Sequence, residues 1–293
     1  MIVDLLLQTL ANGIALGAGY AVISVGLTLV FGILHIANFA HGAFFALGGY
    51  VMFLLISLHV PYLVALPIAV AVVAIAGFAT ETTIVRKSLY GEGHHGSIIV
   101  TFALGQAIVA ALLLIFGPDP HPVGSPFGRS TLSVFGLMIA GQRVFIFVIS
   151  VVVLSGFGAW LRYSIKGQQI LAVAQNPRGA LYSGINVPMI RSISFVLGVA
   201  AAGLAGGLLA PIVTAYPTMG HSTLIIGFTV VILGGMGSIS GAMLGSLLMG
   251  LANALFETYV SVSWTPALGW ILVIAVLLLW PQGLRGRAEL HRH

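Results

Sequence analysis

The sequence contains no cysteine and very few charged residues. Without cysteine, disulfides, thiolate metal sites and cysteine nucleophiles are all excluded. Only 6% of the 293 residues are charged, against about 25% in an average soluble domain, whereas 59% are hydrophobic. A chain of this composition cannot cover itself with a water-facing surface. We therefore expect a protein whose solvent is largely lipid.

Signatures of nucleotide binding and of catalysis are missing as well. No G-x-x-x-x-G-K-[ST] phosphate loop occurs, and Asp and Glu together number only 6, too few to bind magnesium nucleotide. No G-x-S-x-G elbow occurs, and no carboxylate lies close in sequence to His35 or His41. We therefore predict that the chain is not an enzyme, and that it holds no metal or cofactor of its own.

Apolar runs long enough to cross a bilayer core of about 30 Å recur along the whole chain. They predict an all-α, polytopic transmembrane helical bundle that forms one domain over residues 1–293. A glycine-rich break at 234–241 divides the apolar region 223–257, which we interpret as a hairpin of two short spans. A hairpin that dips only partway into the membrane remains an alternative. The count is then eight or nine crossings, with the other spans near 5–31, 36–57, 62–85, 97–116, 144–161, 191–213 and 265–281.

The positions of Lys and Arg predict the orientation of the bundle, because cytoplasmic loops of membrane proteins are enriched in cations. The segment 117–143 must face outward although it carries Arg129 and Arg143, so the N-terminus is predicted outside and the C-terminus in the cytoplasm. The net charge of +5 reflects this orientation rather than nucleic-acid binding, since no basic helix or arm is present. The cations assigned to the cytoplasmic side are Arg86, Lys87, Arg162, Lys166, Arg178, Arg191, Arg285, Arg287 and Arg292.

Glycine is abundant, at 38 residues, and several glycines stand four residues apart. Such spacing places small residues on one helix face and allows close crossing. The stretch Gly234, Gly235, Gly237, Ser238 and Gly241 has a second interpretation, because glycine-interrupted spans also supply unwound backbone for a solute path or a hinge. The spaced sets are Gly13 with Gly17, Gly203 with Gly207, and Gly237 with Gly241 and Gly245.

Polar groups inside the predicted spans are candidates for a transport path, because each needs a partner in lipid. The stretch from Asn38 through Phe39 to His41 and Gly42 opens the second span. Asn38 as a helix N-cap, with His41 hydrogen-bonded inside the bundle, is the structural interpretation. A role in lining the path or touching a partner is the functional one. The other polar groups within the spans are Asn12, Gln106, Asn253 and Glu257.

The inner segment 162–190 is long enough to hold secondary structure of its own. Residues 168–175 predict a short helix, and Asn176 is a good N-cap for a second helix with Pro177 at its first position. Gly184 is a good stop signal. Two short helices parallel to the membrane would form a knob on the cytoplasmic side, which indicates docking of a soluble partner. A structured loop without a partner is the alternative.

Three segments carry a family resemblance over essentially the whole chain. They are Asn38-Phe39-Ala40-His41-Gly42; Arg162-Tyr163-Ser164 through Gly167, Ala174, Gln175, Asn176, Pro177, Ala180 and Gly184-Ile185-Asn186; and Gly234-Gly235-Met236-Gly237-Ser238 with Gly241, Ala242 and Gly245. Together they resemble the LivH-type permeases of ATP-binding-cassette (ABC) importers for branched-chain amino acids. The resemblance implies an importer-type ABC permease of the bacterial inner membrane.

The same resemblance implies partners and a site of coupling. The partners are a second, LivM-type permease subunit, two ABC ATPase subunits that bind ATP and magnesium, and a periplasmic substrate-binding protein. The segment around 167–185 corresponds to the coupling helix that contacts an ATPase. The residues assigned to this coupling loop are Arg162, Gly167, Ala174, Gln175, Asn176, Pro177, Ala180, Gly184 and Ile185.

One departure and several alternatives accompany the resemblance. Family members often carry arginines where this chain has Gln168 and Leu171, so the ATPase contact is expected to differ. Relatives are assigned to urea, short amides or aromatic acids as well as to leucine, isoleucine and valine. An ion-coupled secondary transporter using Glu257, and a metalloenzyme using His35 and His41, are the two competing classes.

Overall fold

The computed structural model describes residues 2–91, 93–128, 130–134, 137–279 and 283–285 of the chain. Nearly all of its regular structure is helical. The helices are α1 (Ile2–Leu34), α2 (His41–Ser57), α3 (Tyr62–Thr80), α4 (Arg86–Gly91), α5 (Gly93–Phe116), α6 (Gly141–Tyr163), α7 (Ile165–Gln175), α8 (Pro177–Tyr182), α9 (Val187–Val213), α10 (Met219–Gly234), α11 (Ile239–Tyr259) and α12 (Thr265–Leu279). A π-helical segment (Glu81–Val85) joins α3 to α4, and a 3₁₀-helix (Val262–Trp264) precedes α12.

The predicted polytopic helical fold is confirmed. Within the described residues, six helices are long and apolar enough to cross a membrane, and three shorter apolar helices accompany them. Together they correspond to the predicted crossings, including both arms of the hairpin. The long ones are Val3–Leu34, Tyr62–Ser88, Gly96–Phe116, Gly141–Tyr163, Val187–Val213 and Ile239–Tyr259, and the shorter ones are His41–Ser57, Met219–Gly234 and Ala267–Leu279.

The helix ends fall into two groups, one at each end of the bundle. At one end Leu284 donates its N–H to the carbonyl of Leu233 (2.8 Å), and the Arg86 guanidinium donates to Ser192 Oγ (2.8 Å). We call this the basic end. With the exception of Arg143, the Lys and Arg residues that the structure describes belong to it, namely Arg86, Lys87, Arg162, Lys166, Arg178, Arg191 and Arg285. Arg129, Arg287 and Arg292 lie outside the described residues.

The opposite end holds the start of α1 and the end of α11. Thr9 Oγ1 donates to Thr258 Oγ1 (3.3 Å), and Gln8 Nε2 donates to the carbonyl of Met138 (3.0 Å). His121 and Ala215 exchange two backbone hydrogen bonds of 2.7 and 2.8 Å. These contacts gather the segments before α6 and before α10 at this end of the bundle.

A small β-hairpin in the segment 117–143 was not predicted. Strand β1 (Thr131–Val134) pairs antiparallel with β2 (Leu137–Ala140), with Thr131 opposite Ala140. Four residues per strand are too few for an alternating pattern to be distinguished from an apolar loop. The hairpin adds to the helical fold without changing its class.

Helix α9 lies at the centre of the bundle, where it contacts α1, α2 and α3. Glycines allow these contacts to be close: Gly48 of α2 lies against the backbone of Gly203, and Gly206 lies against the Phe45 carbonyl. The predicted packing role of Gly13 and Gly17 is confirmed, because both lie against the backbone of α11. Close backbone approach is a common basis of helix association in membranes.

Two of the predicted details are wrong. Gly237 does not share a helix face with Gly241 and Gly245, because it lies in the hairpin turn with a φ of 80° and α11 begins at Ile239. The second span does not begin near residue 36. Residues 35–40 are non-helical, α2 begins at His41, and the apolar side chains of Ile36 and Phe39 conceal this break from hydropathy.

Gly206→Val provides a test of the close crossing between α9 and α2. A Cβ at Gly206 would overlap the Phe45 carbonyl, and overpacking of this kind costs about 1–3 kcal/mol. We expect a lower thermal unfolding midpoint for the detergent-solubilised protein. Gly158→Val in α6 is the matched control, since an added Cβ there meets nothing within 4 Å. Equal midpoints for the two variants would contradict the assigned packing.

Candidate functional site

The segment between α6 and α9 forms a compact helical knob at the basic end. We use "knob" for residues 162–190, which contain α7 and α8. The two predicted short helices are confirmed, but α7 begins at Ile165 rather than at residue 168. Its N-cap is Ser164, whose Oγ accepts a hydrogen bond from the Gly167 N–H (2.9 Å). Serine before the helical residues is the signal that could have located this start.

Local sequence determines the shape of the knob. Asn176 separates the two helices, and its Oδ1 accepts a hydrogen bond from the Gly179 N–H (2.9 Å), with Pro177 at the first turn of α8. Gly184 follows α8 with a φ of 77°, where glycine avoids the strain of a side chain. Asn186 Oδ1 then accepts from the Met189 N–H (3.1 Å) and caps α9. The predicted cap at Asn176 and stop at Gly184 are both confirmed.

One face of the knob is fixed to the bundle. Gly167 lies against the backbone of Trp160 and Leu161, which leaves no room for a side chain. Ile170, Val173 and Ala180 are buried on the same face. Ala174 and Ile185 are partly buried and pack against the core. The knob is therefore held to α6 and α9 along its inner face.

The outer face of the knob exposes large apolar side chains among polar and charged ones. Tyr182 is 88% exposed and Ile165 is 76% exposed, and Tyr163 and Leu181 are also exposed. Arg162 lies over the ring of Tyr163, 5.7 Å from its centroid. Gln175 is exposed as well, as are Gln168 and Leu171. Exposed apolar groups of this size are typical of a surface that binds another protein or a membrane.

Residues 35–40 run back from the end of α1 into the bundle. Asn38 is fully buried, and its Oδ1 accepts a hydrogen bond from the Ala40 N–H (3.1 Å). The prediction that Asn38 is the N-cap of α2 is wrong, because the cap position is Ala40 and it has no side-chain cap. The side chain of Asn38 instead stabilises the turn before the helix.

The backbone of this irregular segment is hydrogen-bonded by its neighbours. The Phe39 N–H donates to Thr101 Oγ1, and Thr101 Oγ1 donates to the Ala37 carbonyl, both at 3.4 Å. The predicted internal hydrogen bond of His41 is confirmed, since its Nε2 lies 3.0 Å from the carbonyl of Ile23. Ile23 is eleven residues before the end of α1, about 16 Å along its axis. Irregular backbone at this depth is tolerated because protein groups satisfy it.

A cavity of about 220 Å³ lies between α2, α5 and α10. Phe39 and Gly42 are the two predicted site residues that line it. Asn38 and His41 are not among the lining residues, and His41 contacts α1 instead. Gln106, which sequence reasoning named as a polar group within a span, lines the cavity as well. Sequence reasoning did not select the other lining residues, although His221 could have been found in the same way. The lining residues are Phe39, Gly42, Ala43, Phe102, Gly105, Gln106, His221, Leu224 and Ile225.

Both α2 and α10 are short helices that begin at this cavity. The backbones of Gly42 and Gly220 are in direct contact, and the side chain of Met219 contacts Gly49. The 16 residues of α10 span about 24 Å, less than a bilayer core of about 30 Å. The chain therefore enters α10 from within the bundle, next to the start of α2.

The glycine-rich residues 234–241 form the turn of the predicted hairpin at the basic end, away from the cavity. Gly235 and Gly237 have φ values of 96° and 80°, and Ser238 Oγ accepts from the Gly241 N–H (3.1 Å). Gly234 and Gly241 are in close backbone contact. The Arg285 N–H donates to the Gly234 carbonyl (3.1 Å), so residues 283–285 are attached to the start of this turn.

The polar candidates Glu257 and Asn253 lie away from the cavity and from the knob. Glu257 is exposed at the opposite end, where it is attracted electrostatically to Arg143. Asn253 donates from Nδ2 to the Tyr20 hydroxyl (3.4 Å), which is a contact between α11 and α1. In the part of the chain that the structure describes, no three His, Asp or Glu side chains form a group that could hold a metal ion.

Comparisons of the sequence with known proteins identify a family. The family described as branched-chain amino acid transport system / permease component matches residues 9–280. The high-affinity branched-chain amino acid transport system permease protein BraD of Pseudomonas aeruginosa is 31% identical over 98% of this chain and 97% of its own length.

Two LivH proteins from other organisms extend the comparison. The high-affinity branched-chain amino acid transport system permease protein LivH of Escherichia coli is 30% identical over 98% of this chain and 97% of its own length. A probable branched-chain amino acid transport permease protein LivH of Methanocaldococcus jannaschii is 30% identical over 90% and 87%. The chain therefore belongs to the family of branched-chain amino acid transport permease components.

Proposed function

We propose that this chain is the transmembrane permease subunit of an ABC importer that translocates branched-chain amino acids, driven by ATPase subunits in trans. Full-length similarity to BraD and LivH supports the substrate class. Because the sequence has no phosphate loop, ATP would be bound with magnesium and hydrolysed in another subunit. The observation that carries the proposal is the knob at the basic end.

The knob combines a fixed inner face with an outer face on which large apolar side chains are exposed. Its attachment through Gly167, Ile170 and Val173 means that a force on the outer face reaches α6 and α9 directly. Tyr182 and Ile165 would be costly to leave in water without a partner. We infer that the knob is the coupling loop on which an ATPase subunit docks. Closure of the ATPase dimer on ATP would then displace the start of α9.

The basic end is proposed to face the cytoplasm. Cations concentrate there, whereas Arg143 is the single described cation at the other end. The N-terminus then lies outside the inner membrane and the C-terminus inside. This orientation also places the knob on the side where ATP is available.

The proposed partners are a LivM-type permease subunit, two ABC ATPase subunits and a periplasmic substrate-binding protein. Gln168 and Leu171 stand on the exposed side of α7, and Gln168 Nε2 donates to the Arg162 carbonyl (3.3 Å). Gln168 is a neutral amide and Leu171 is apolar. We therefore expect the contact between the knob and an ATPase subunit to rely less on charge than in family members with arginines at these positions.

We propose that the solute path passes the start of α2, with Phe39 and Gly42 on its wall and Asn38 and His41 supporting the irregular backbone. The turn containing Gly234, Gly235, Gly237, Ser238 and Gly241 is proposed as a hinge. Its support is the pair of positive φ values at Gly235 and Gly237, which allow the two arms to change their angle.

The double variant Asn176→Ala with Gly184→Val tests the docking role of the knob. The first change removes a helix cap worth about 1 kcal/mol, and the second places a side chain at a left-handed φ, which costs about 1–2 kcal/mol. We expect substrate-stimulated ATPase activity of the complete importer to be abolished while the spans remain inserted. Ser183→Ala, in the same exposed loop, is the control that should keep full stimulation. Normal stimulation in the double variant would refute docking at the knob.

Glu257→Gln separates ATP-driven from proton-coupled transport. Because Glu257 lies at the exposed end of α11, we expect leucine uptake by cells with the complete importer to stay within about twofold of the unsubstituted level, a change of under 0.5 kcal/mol. Uptake should also persist when an uncoupler is added while ATP is maintained. Loss of uptake in the variant together with sensitivity to the uncoupler would favour a secondary transporter.

A further inference from the structure

The cavity between α2, α5 and α10 has two chemically different ends. Towards the basic end its wall consists of the rings of Phe39 and Phe102. Towards the opposite end the wall contains the amide of Gln106 and the imidazole of His221. Helix direction fixes this order, because α5 runs away from the basic end and α10 runs towards it.

Three phenylalanines from three separate elements meet below the cavity. The ring centroid of Phe39 lies 5.3 Å from that of Phe228 in α10 and 6.4 Å from that of Phe102 in α5. Phe228 stands about one turn beyond Leu224 towards the basic end. We call Phe39, Phe102 and Phe228 the aromatic floor. Phe102 is itself 54% exposed, so the floor is an apolar barrier along the wall of the cavity, where it opposes the passage of water and polar solutes.

The two polar groups above the floor lack a structural explanation. Gln106 stands ten residues before the end of α5, about 15 Å along the helix, and its side chain is exposed. An amide at this depth is costly if it faces lipid. His221 is also exposed, in the first turn of α10. Since both groups line the same cavity, a polar occupant explains them together.

The chemistry of the wall restricts the occupant. Gln106 offers both a donor and an acceptor, and His221 offers one ring nitrogen of each kind when neutral. Leu224, Ile225 and the floor offer only apolar surface. No Asp, Glu, Lys or Arg is among the residues that line the cavity within the described ranges. A small zwitterion with an aliphatic side chain matches both parts, whereas urea would leave the apolar part unpaired.

We propose that this cavity is a solute-binding site open away from the basic end, in which Gln106 and His221 hold the polar groups of an aliphatic amino acid. The aromatic floor is the barrier that closes the site towards the cytoplasm. The inference rests on the proposed importer function and adds the location of the site and its barrier. The lining residues carry no formal charge and would hold the solute weakly, which suits a path that must also release it.

The position of the floor explains how ATP hydrolysis could open it. Phe228 belongs to α10, which ends in the glycine turn at Gly235. Phe39 precedes α2, which is packed against α9 through Gly48 and Gly203. Because α9 begins at the knob, a displacement of the knob reaches the start of α2. With the backbone contact between Gly42 and Gly220 as the pivot, it turns Phe39 relative to Phe228 and separates the rings.

The absence of cysteine makes the inference directly testable, since every introduced thiol is unique. Gln106→Cys and His221→Cys are made in the full chain, and each is treated with a membrane-impermeant methanethiosulfonate reagent in right-side-out and in inside-out vesicles. We expect labelling of both to be faster from the outer side by roughly tenfold or more. Leucine but not urea should slow labelling of Ile225→Cys, a third lining position at which Gln106 and His221 are both retained. Phe228→Ala added to Gln106→Cys should raise labelling from the cytoplasmic side by a similar factor.

Two further variants act as controls. Met236→Cys, 64% exposed in the hairpin turn, should react only in inside-out vesicles and reports correct insertion. Val152→Cys, 61% exposed in the middle of α6 and outside the cavity, should react from neither side. The decisive outcomes apply when Met236→Cys behaves as expected. The inference is then overturned if Gln106→Cys is labelled equally from both sides, or if it is not labelled from outside. Protection by urea rather than leucine overturns the assigned solute.

A parallel uptake assay separates this inference from the proposed function. Cells that carry the complete importer with the unsubstituted chain are tested for ATP-dependent leucine uptake. If uptake depends on the chain but the labelling pattern fails, the cavity and floor are assigned wrongly while the importer function stands. If leucine uptake does not depend on the chain, the importer function fails, and the amino acid assignment of the cavity fails with it.

Discussion

Close backbone contact at glycines fixes where the helices of this bundle cross. Gly42 lies against Gly220, Gly48 against Gly203, and Gly234 against Gly241, so α2 is joined to α10 and α9, and α10 to α11. Lipid gives apolar side chains little reason to associate, and contact of this kind provides the packing that holds helices together in a membrane. The same contacts position the starts of two short helices inside the bundle. The cavity is a consequence of that arrangement.

Helix α9 connects the knob to the irregular segment at the start of α2. It begins directly after the knob, with Asn186 as its N-cap, and it passes α2 at Gly203 and Gly206. Where backbones touch, no side chain can change its rotamer to absorb a displacement. A movement of the knob therefore reaches the irregular segment before α2 with little loss. This continuity would link the proposed coupling at the basic end to the proposed solute path at the start of α2.

Sequence reasoning succeeded where the physical signal is local. The spans follow from uninterrupted hydropathy, the hairpin turn follows from its glycines, and the second knob helix follows from Asn176, Pro177 and Gly184. Each of these signals lies within a few residues of the structure that it specifies. The resemblance to LivH-type permeases added the family, and similarity over nearly the full chain bears it out.

The features that were missed depend on contacts distant in sequence. The break before His41 is invisible to hydropathy because Ile36, Phe39 and Ala40 are apolar, and it is stabilised by Thr101, some sixty residues away. The aromatic floor joins Phe39, Phe102 and Phe228 from three elements, and no periodicity relates them. Polar groups in apolar helices are a usable signal, but only the fold places Gln106 and His221 in one cavity.

The central claim is that this chain is a passive conduit moved by nucleotide hydrolysis in another subunit. Uptake of radiolabelled leucine into proteoliposomes tests it most directly, with the purified chain alone or together with the proposed second permease, ATPase subunits and binding protein. The account predicts uphill accumulation only in the complete assembly with ATP on the ATPase side, and none with the chain alone under any ion gradient. Uphill accumulation by the chain alone would contradict it.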